Sequence, residues 1–223
     1  MFFHYKRTVV RFYSRQVRLA RMHESGGDNQ GGGSERLDAA RNRRLLLGTA
    51  LEIVAEHGAD ALTMDDLARR AGVGKGTVFR RFGSRAGLMQ ALLDHAQRDF
   101  QESYMIGPAP LGPGAPPLER LHAFGAARIQ AVEITGELRR AADVAGPGSY
   151  RHPVRRLELA HLTMLLSAVP EVRDPELSAY QLEAFLEAGL LLHLHRGAGM
   201  SLERITDGWL GLVSSVVGAG ADE

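Results

Sequence analysis

Residues 62–85 read LTMDDLARRAGVGKGTVFRRFGSR, two short amphipathic stretches on either side of a glycine turn. Thr63 stands where a helix N-cap belongs, and Asp65 and Asp66 follow in the first turn, where acids suit the helix dipole. The spacing Thr63-x-x-Asp66 is itself a helix-start signal. Leu67, Ala68 and Ala71 fall on one inward face, and the small Ala68 admits a close neighbouring helix. Gly72 comes where the chain must turn sharply, so positive φ is expected there. Val73 plugs the turn, and Gly74 caps the next helix. On that second helix, about 100° per residue groups Thr77, Arg80 and Arg81 in one sector and Val78 with Phe82 in another. Lys75 joins the outward set. This is the layout of a helix-turn-helix whose second helix enters the DNA major groove.

Toward the N-terminus, periodicity predicts a firm helix over Asp38–His57. Leu47, Leu51 and Val54 share one face, Leu46, Ala50 and Ile53 the adjoining one, and Gly58 follows as its C′ residue. Arg41, Arg43 and Arg44 crowd its first turns, where the helix dipole prefers acids; a phosphate partner or plain solvation would relieve the conflict. Before it, residues 25–34 (SGGDNQGGGS) have the composition of a flexible linker. Residues 1–21 hold Lys6, Arg7, Arg11, Arg15, Arg18 and Arg21 without an acid, and the basic residues break any apolar core a secretory signal would need. That segment fits a transit peptide, a basic arm on DNA, or translated sequence upstream of a start at Met22.

Toward the C-terminus, Ser84 is placed to cap a helix running to about Glu102 through Leu88, Leu92 and Leu93. Taken together, residues 38–102 resemble the amino-terminal DNA-binding domain of TetR-family transcriptional regulators. The stretches that carry the resemblance are ALEIVAEHG (50–58), LTMDDLARRAGV (62–73), KGTVFRRF (75–82) and SRAGL (84–88). The chain departs from the family pattern at Gly74, where serine is common, at Phe79, where a tyrosine usually contacts a phosphate, and at Arg85, where lysine is usual. Arg80 and Arg81 stand where His and Tyr are common.

The resemblance implies an all-α regulator with a three-helix helix-turn-helix domain followed by a helical ligand-binding and dimerisation domain. The expected divisions are an N-terminal extension and linker (1–37), the DNA-binding domain (38–84), a connecting helix (85–106), a loop (107–117) and an effector-binding and dimerisation domain (118–223). The expected partners are a palindromic double-stranded operator, an unidentified small-molecule effector, and a second copy docked through the last two helices; the setting is the cytoplasm. Expected DNA contacts are Arg43, Arg44, Thr63, Lys75, Gly76, Thr77, Phe79, Arg80, Arg81 and Arg85. Of these, Arg80 and Arg81 suit guanine, Thr77 a thymine methyl or a phosphate, and Lys75, Thr63, Arg85, Arg43 and Arg44 the phosphate backbone.

Residues 107–117 hold five of the nine prolines and three glycines, so no helix crosses them. Beyond, periodicity predicts helices over 118–134, 137–145 and 153–168. Asp174-Pro175-Glu176 opens another that should continue to Arg196, and Ser201 caps a last one through Ile205, Trp209, Leu212 and Val216. Gly208 and Gly211 lie on that last helix where a partner backbone could approach. Candidate effector contacts are His122, Arg128, Glu158, His161, Met164, Tyr180 and His193; for each, the ordinary alternative is a satisfied core or interface side chain.

Composition narrows the field. The chain has 223 residues, no cysteine and a net charge of +1, so thiolate chemistry and disulfides are excluded. Residues 1–102 carry 17 Lys/Arg against 12 Asp/Glu, and residues 103–223 carry 10 against 14, a basic front and an acidic back. No apolar run approaches the ~18 residues of a membrane span. His193-x-His195 is not helical metal spacing, and neither a metal nor a cofactor is expected. Two alternatives remain at this stage: a helical enzyme, against which stands the lack of any diagnostic catalytic spacing, and a helix-turn-helix protein that scaffolds DNA and senses nothing. AGVGKGT (71–77) lacks phosphate-loop spacing.

Overall fold

The structure, a computed structural model, describes residues 33–141 and 153–218; the basic segment 1–21 lies outside the described residues. Helix α1 spans Gly33–His57 and leads through a 3-10 turn at Ala59–Ala61 to α2 (Met64–Ala71), α3 (Lys75–Phe82) and α4 (Arg85–Met105). Then come α5 (Pro117–Gln130), α6 (Val132–Ala141), α7 (Pro153–Ser167), α8 (Pro175–Phe185), the short α9 (Ala188–Leu192) and α10 (Leu202–Gly218). Among the described residues there is no strand, as the periodicity predicts. Two compact units emerge. One comprises the described residues up to His95 together with a stretch that begins at Glu137; the other runs from Ala96 to Gly136 and takes in the described residues from Pro153 onward.

In the first unit α1 begins at Gly33, ahead of the expected Asp38. Glu35 to Arg44 contain no glycine or proline and many good helix formers, so nothing stops the helix from extending back. Arg41, Arg43 and Arg44 therefore sit about two turns or more beyond the helix start, and the dipole conflict, which is confined to the first turn, disappears. The buried face of α1 (Leu46, Leu47, Ala50, Leu51, Ile53) is joined in the core by Leu67 of α2, Val78 of α3 and Leu88 of α4. Gly58 ends α1 at φ +82. The next amide, Ala59 N–H, donates to Glu137 Oε2 at 3.0 Å, across 78 residues of sequence.

The second unit is built around Trp209, which is fully buried and donates its indole N–H to the Leu121 carbonyl at 3.2 Å. Gly125 of α5 lies flat against that ring: a Cβ there would sit 2.0 Å from Trp209 Cε2, so the close approach requires glycine. Two expected helices are interrupted. The helix expected over 118–134 stops at Gln130 and restarts at Val132, which turns Ile129 and Val132 both into the core. The helix opened by Asp174 starts as expected, with the Asp174 carboxylate accepting Leu177 N–H at 2.9 Å, but does not run on to Arg196. Glu187 leaves the helix at ψ 128 and its own carboxylate accepts Leu190 N–H at 3.0 Å, capping α9 anew. A π turn over His193–Gly197 follows. A side chain acting as its own cap leaves no mark in hydrophobic periodicity.

Candidate functional site

Local chemistry builds the helix-turn-helix much as its sequence suggests. Thr63 Oγ1 accepts Asp66 N–H at 3.0 Å, capping α2, and its hydroxyl proton remains available to a further acceptor. Gly72 takes the left-handed conformation at φ +69, and its neighbour Val73 N–H bonds back to Ala68 O at 3.0 Å. Gly74 caps α3 without a side-chain bond. Val78 and Phe82 are buried and pin α3, leaving Lys75, Gly76, Phe79, Arg80 and Arg81 exposed and Thr77 half-buried. Opposite the buried Val78–Phe82 edge stand Gly76 and Arg80, one turn apart. Thr77 and Arg81 form one shoulder of this face, Lys75 and Phe79 the other.

Two of the expected phosphate donors are already engaged within the domain. The Lys75 ammonium lies 2.8 Å from the Asp65 carboxylate and 5.8 Å from the centroid of the Phe79 ring. Arg85 Nε donates to Leu62 O at 3.1 Å and Nη2 to Ala59 O at 2.7 Å. Its guanidinium thus ties the start of α4 to the turn before α2 and keeps further N–H donors on a side chain that is 40% exposed. Arg44 is exposed and Arg43 half-buried on α1.

The expected effector residues separate. Arg128, Glu158 and His161 enter one buried polar cluster. Met164 and Tyr180 are 51% and 45% exposed; with Leu159, Ala160, Thr163, Ser167 and Glu176 they line an open groove of ≈ 440 Å³ outside that cluster. His193 is exposed on the π turn, and His122 is half-buried with its Nε2 unpartnered. The reason is rotational: 161 and 164 are neighbours on a helix, but α7 packs along the side that carries Arg155, Glu158 and Leu162, which leaves Met164 facing out. Sequence reasoning missed Arg155, Glu183 and Tyr104. Arg155 and Glu158 at i,i+3 on a face that also carries Leu162 and Leu165 could have signalled a buried pair.

Within the cluster, Arg128 Nη2 is 3.5 Å from Glu158 Oε2, and Arg155 Nε is 3.2 Å from Glu183 Oε1. Both carboxylates are 2% exposed. Burial, reinforced by the Glu158 charge, pushes the Glu183 carboxyl up to about 7 despite the two arginines. Burial likewise raises Glu158, against the pull of Arg128 and Arg155. His161 packs 4.5 Å from the Tyr104 ring centroid and 5.6 Å from that of Phe124. Burial and then the charge of Arg120 push its imidazole down to about 4, so it is neutral at physiological pH. His161 Nε2 and Glu183 Oε2 are buried without hydrogen-bond partners. Among the described residues no group of three or more His, Asp or Glu is arranged to hold a metal, and no helix is long and apolar enough to cross a membrane.

Comparison with known proteins agrees with the geometry of the first unit. The sequence pattern described as "Bacterial regulatory proteins, tetR family" matches residues 46–92. The DNA-binding transcriptional repressor TetR of Mycobacteroides abscessus is 28% identical over 161 residues, spanning 71% of this chain and 72% of that protein. The HTH-type transcriptional regulator SAR0097 of Staphylococcus aureus is 42% identical over 62 residues, 27% of this chain and 32% of that protein. The fold is shared with the TetR-family regulator SCO4454 of Streptomyces coelicolor (TM-score 0.53, 22% identity, 83% of this chain and 97% of that one). It is shared equally with a putative TetR-family regulator from Rhodococcus sp. (TM-score 0.54, 23% identity, 79% and 98%). The helix-turn-helix with its outward recognition face thus lies within the stretch that is similar to the bacterial regulatory proteins of the tetR family, and the described residues share the fold of two solved TetR-family regulators.

Proposed function

We propose that the protein is a cytoplasmic repressor that binds a palindromic operator as a homodimer and is released by a small molecule. The observation that carries this reading is the outward face of α3, where Arg80 and Arg81 stand exposed on a helix pinned from behind by Val78 and Phe82. An arginine reaching guanine O6 and N7 is the commonest specific base contact, and Gly76, with nothing within 4 Å of its Cβ position, lets the backbone approach the groove. Arg43, Arg44 and the Thr63 hydroxyl supply backbone contacts that set register and not sequence. The second copy docks through the region expected to form the last two helices, which the fold divides into α8, α9 and α10. In support, Gly208 and Gly211 are exposed on α10, and nothing lies within 4 Å of a Cβ at Gly211. The effector acts on the unit that holds the Arg128–Glu158 and Arg155–Glu183 pairs, where the buried His161 Nε2 and Glu183 Oε2 are polar atoms an incoming molecule would satisfy.

Selection of bound sequences from a random DNA pool tests the reading. A palindromic, guanine-bearing site is expected. Against it, Arg80→Ala should lose about 1–3 kcal/mol of discrimination at one base position, while Arg43→Ala should weaken binding to all sequences and flatten the salt dependence. A protein that leaves no sequence-specific footprint at moderate salt is not such a regulator.

A further inference from the structure

Phe79 stands out on the recognition face. Val78 and Phe82, the other large apolar side chains of α3, are buried at 0% and 9% exposure, whereas Phe79 is 41% exposed among charged residues. Its neighbour on the same shoulder, Lys75, lies over the ring and has its ammonium paired with Asp65 at 2.8 Å. This shoulder therefore offers DNA an apolar ring whose adjacent cation is already bound, unlike the Thr77–Arg81 shoulder, which offers a hydroxyl and a guanidinium. Phe79 also has no hydroxyl with which to reach a phosphate.

A base edge in the major groove carries one apolar group, the C5-methyl of thymine, and a phenylalanine ring is among the side chains that match it. We propose that Phe79 is a specificity-determining residue that reads a thymine methyl, beside the position read by Arg80. The inference rests on the reading of α3 as the recognition helix. It divides the face into a polar shoulder that reads donors and acceptors and an aromatic shoulder that reads a methyl.

Replacing thymine by deoxyuracil removes that methyl and leaves the Watson–Crick pair intact. In the operator recovered from the random pool, each thymine of a half-site is replaced in turn, and affinity is measured by fluorescence anisotropy at fixed salt. One position per half-site should lose about fourfold in affinity, the equivalent of one buried methyl-sized group. At that position Phe79→Ala should bind thymine and deoxyuracil operators equally, while Phe79→Tyr, which keeps the ring, should still distinguish them. Phe79→Ala removes a half-exposed side chain, and its helicity by circular dichroism checks that the fold is kept. Wild-type affinity unchanged at every deoxyuracil position overturns the proposal, as does a Phe79→Ala variant with the penalty intact. Loss of affinity in Phe79→Ala to the same degree on both operators, with no thymine preference in the wild type, assigns the ring to the sugar-phosphate backbone instead. If the pool yields no preferred sequence, the regulator reading fails first and takes this inference with it.

Discussion

In the helix-turn-helix unit the ion pairs lie in water: Arg69 with Asp66, Arg70 with Glu56 at 2.9 Å, and Lys75 with Asp65 at 2.8 Å, on side chains that are 20–76% exposed. In the second unit Arg128 and Arg155 meet Glu158 and Glu183, whose carboxylates are nearly sealed from solvent. Exposed pairs contribute about 0–1 kcal/mol and are screened by salt, so exchanging one for a DNA phosphate costs little. Buried pairs are held against a large desolvation penalty, and disturbing one member leaves a stranded charge. A surface built to trade partners suits the unit that carries the helix-turn-helix, and an interior built to resist change distinguishes the other.

The comparison can be broken most forcefully at Gly125. Gly125→Ala drives a methyl into the Trp209 ring, and a loss of about 3 kcal/mol is expected, read by chemical denaturation followed through tryptophan fluorescence. Full stability in that variant would mean that the interior yields more readily than its packing implies. A subtler effect comes from Glu183. Its folded-state carboxyl titrates near 7, above its ordinary value of 4.5, so the stability tied to its protonated form is complete below about pH 4.5 and is lost as the pH rises through 7. Glu183→Gln, which cannot ionise, should therefore gain on the wild type between pH 5 and pH 8, with a slope of up to about 1.4 kcal/mol per pH unit. Parallel stability–pH curves for the two proteins would remove Glu183 from this account. The smallest effect belongs to the other unit: Glu56→Ala breaks the exposed bridge to Arg70 and should lower the melting temperature only slightly in dilute buffer and less in high salt, by thermal unfolding.

Much of the recognition face was legible before the fold. The Thr63 cap, the left-handed Gly72 and the division between buried Val78/Phe82 and exposed Arg80 and Arg81 all follow from interactions within a few residues of chain. The structural bonds of Arg85 were the exception, because two carbonyls more than twenty residues upstream accept from its guanidinium. The second unit was less legible. Its helix starts at Asp174 and Ser201 were readable from cap chemistry, with Ser201 Oγ accepting Arg204 N–H at 3.1 Å. The break at Glu187 was not, because a glutamate reads as an ordinary helix former unless it turns back to cap its own successors.

By itself, then, the sequence determined an all-helical chain with a helix-turn-helix near its front, because caps, turn glycines and the 3.6-residue period are short-range properties. Only the tertiary structure decided that Glu137 would close the turn at Ala59, that the Trp209 ring would lie on Gly125, and that Arg155 and Glu183 would meet in the interior. Each of these joins groups 28 to 84 residues apart in the chain or depends on what buries them. Burial and the pKa values that follow from it belong to packing between helices, which no single helix encodes.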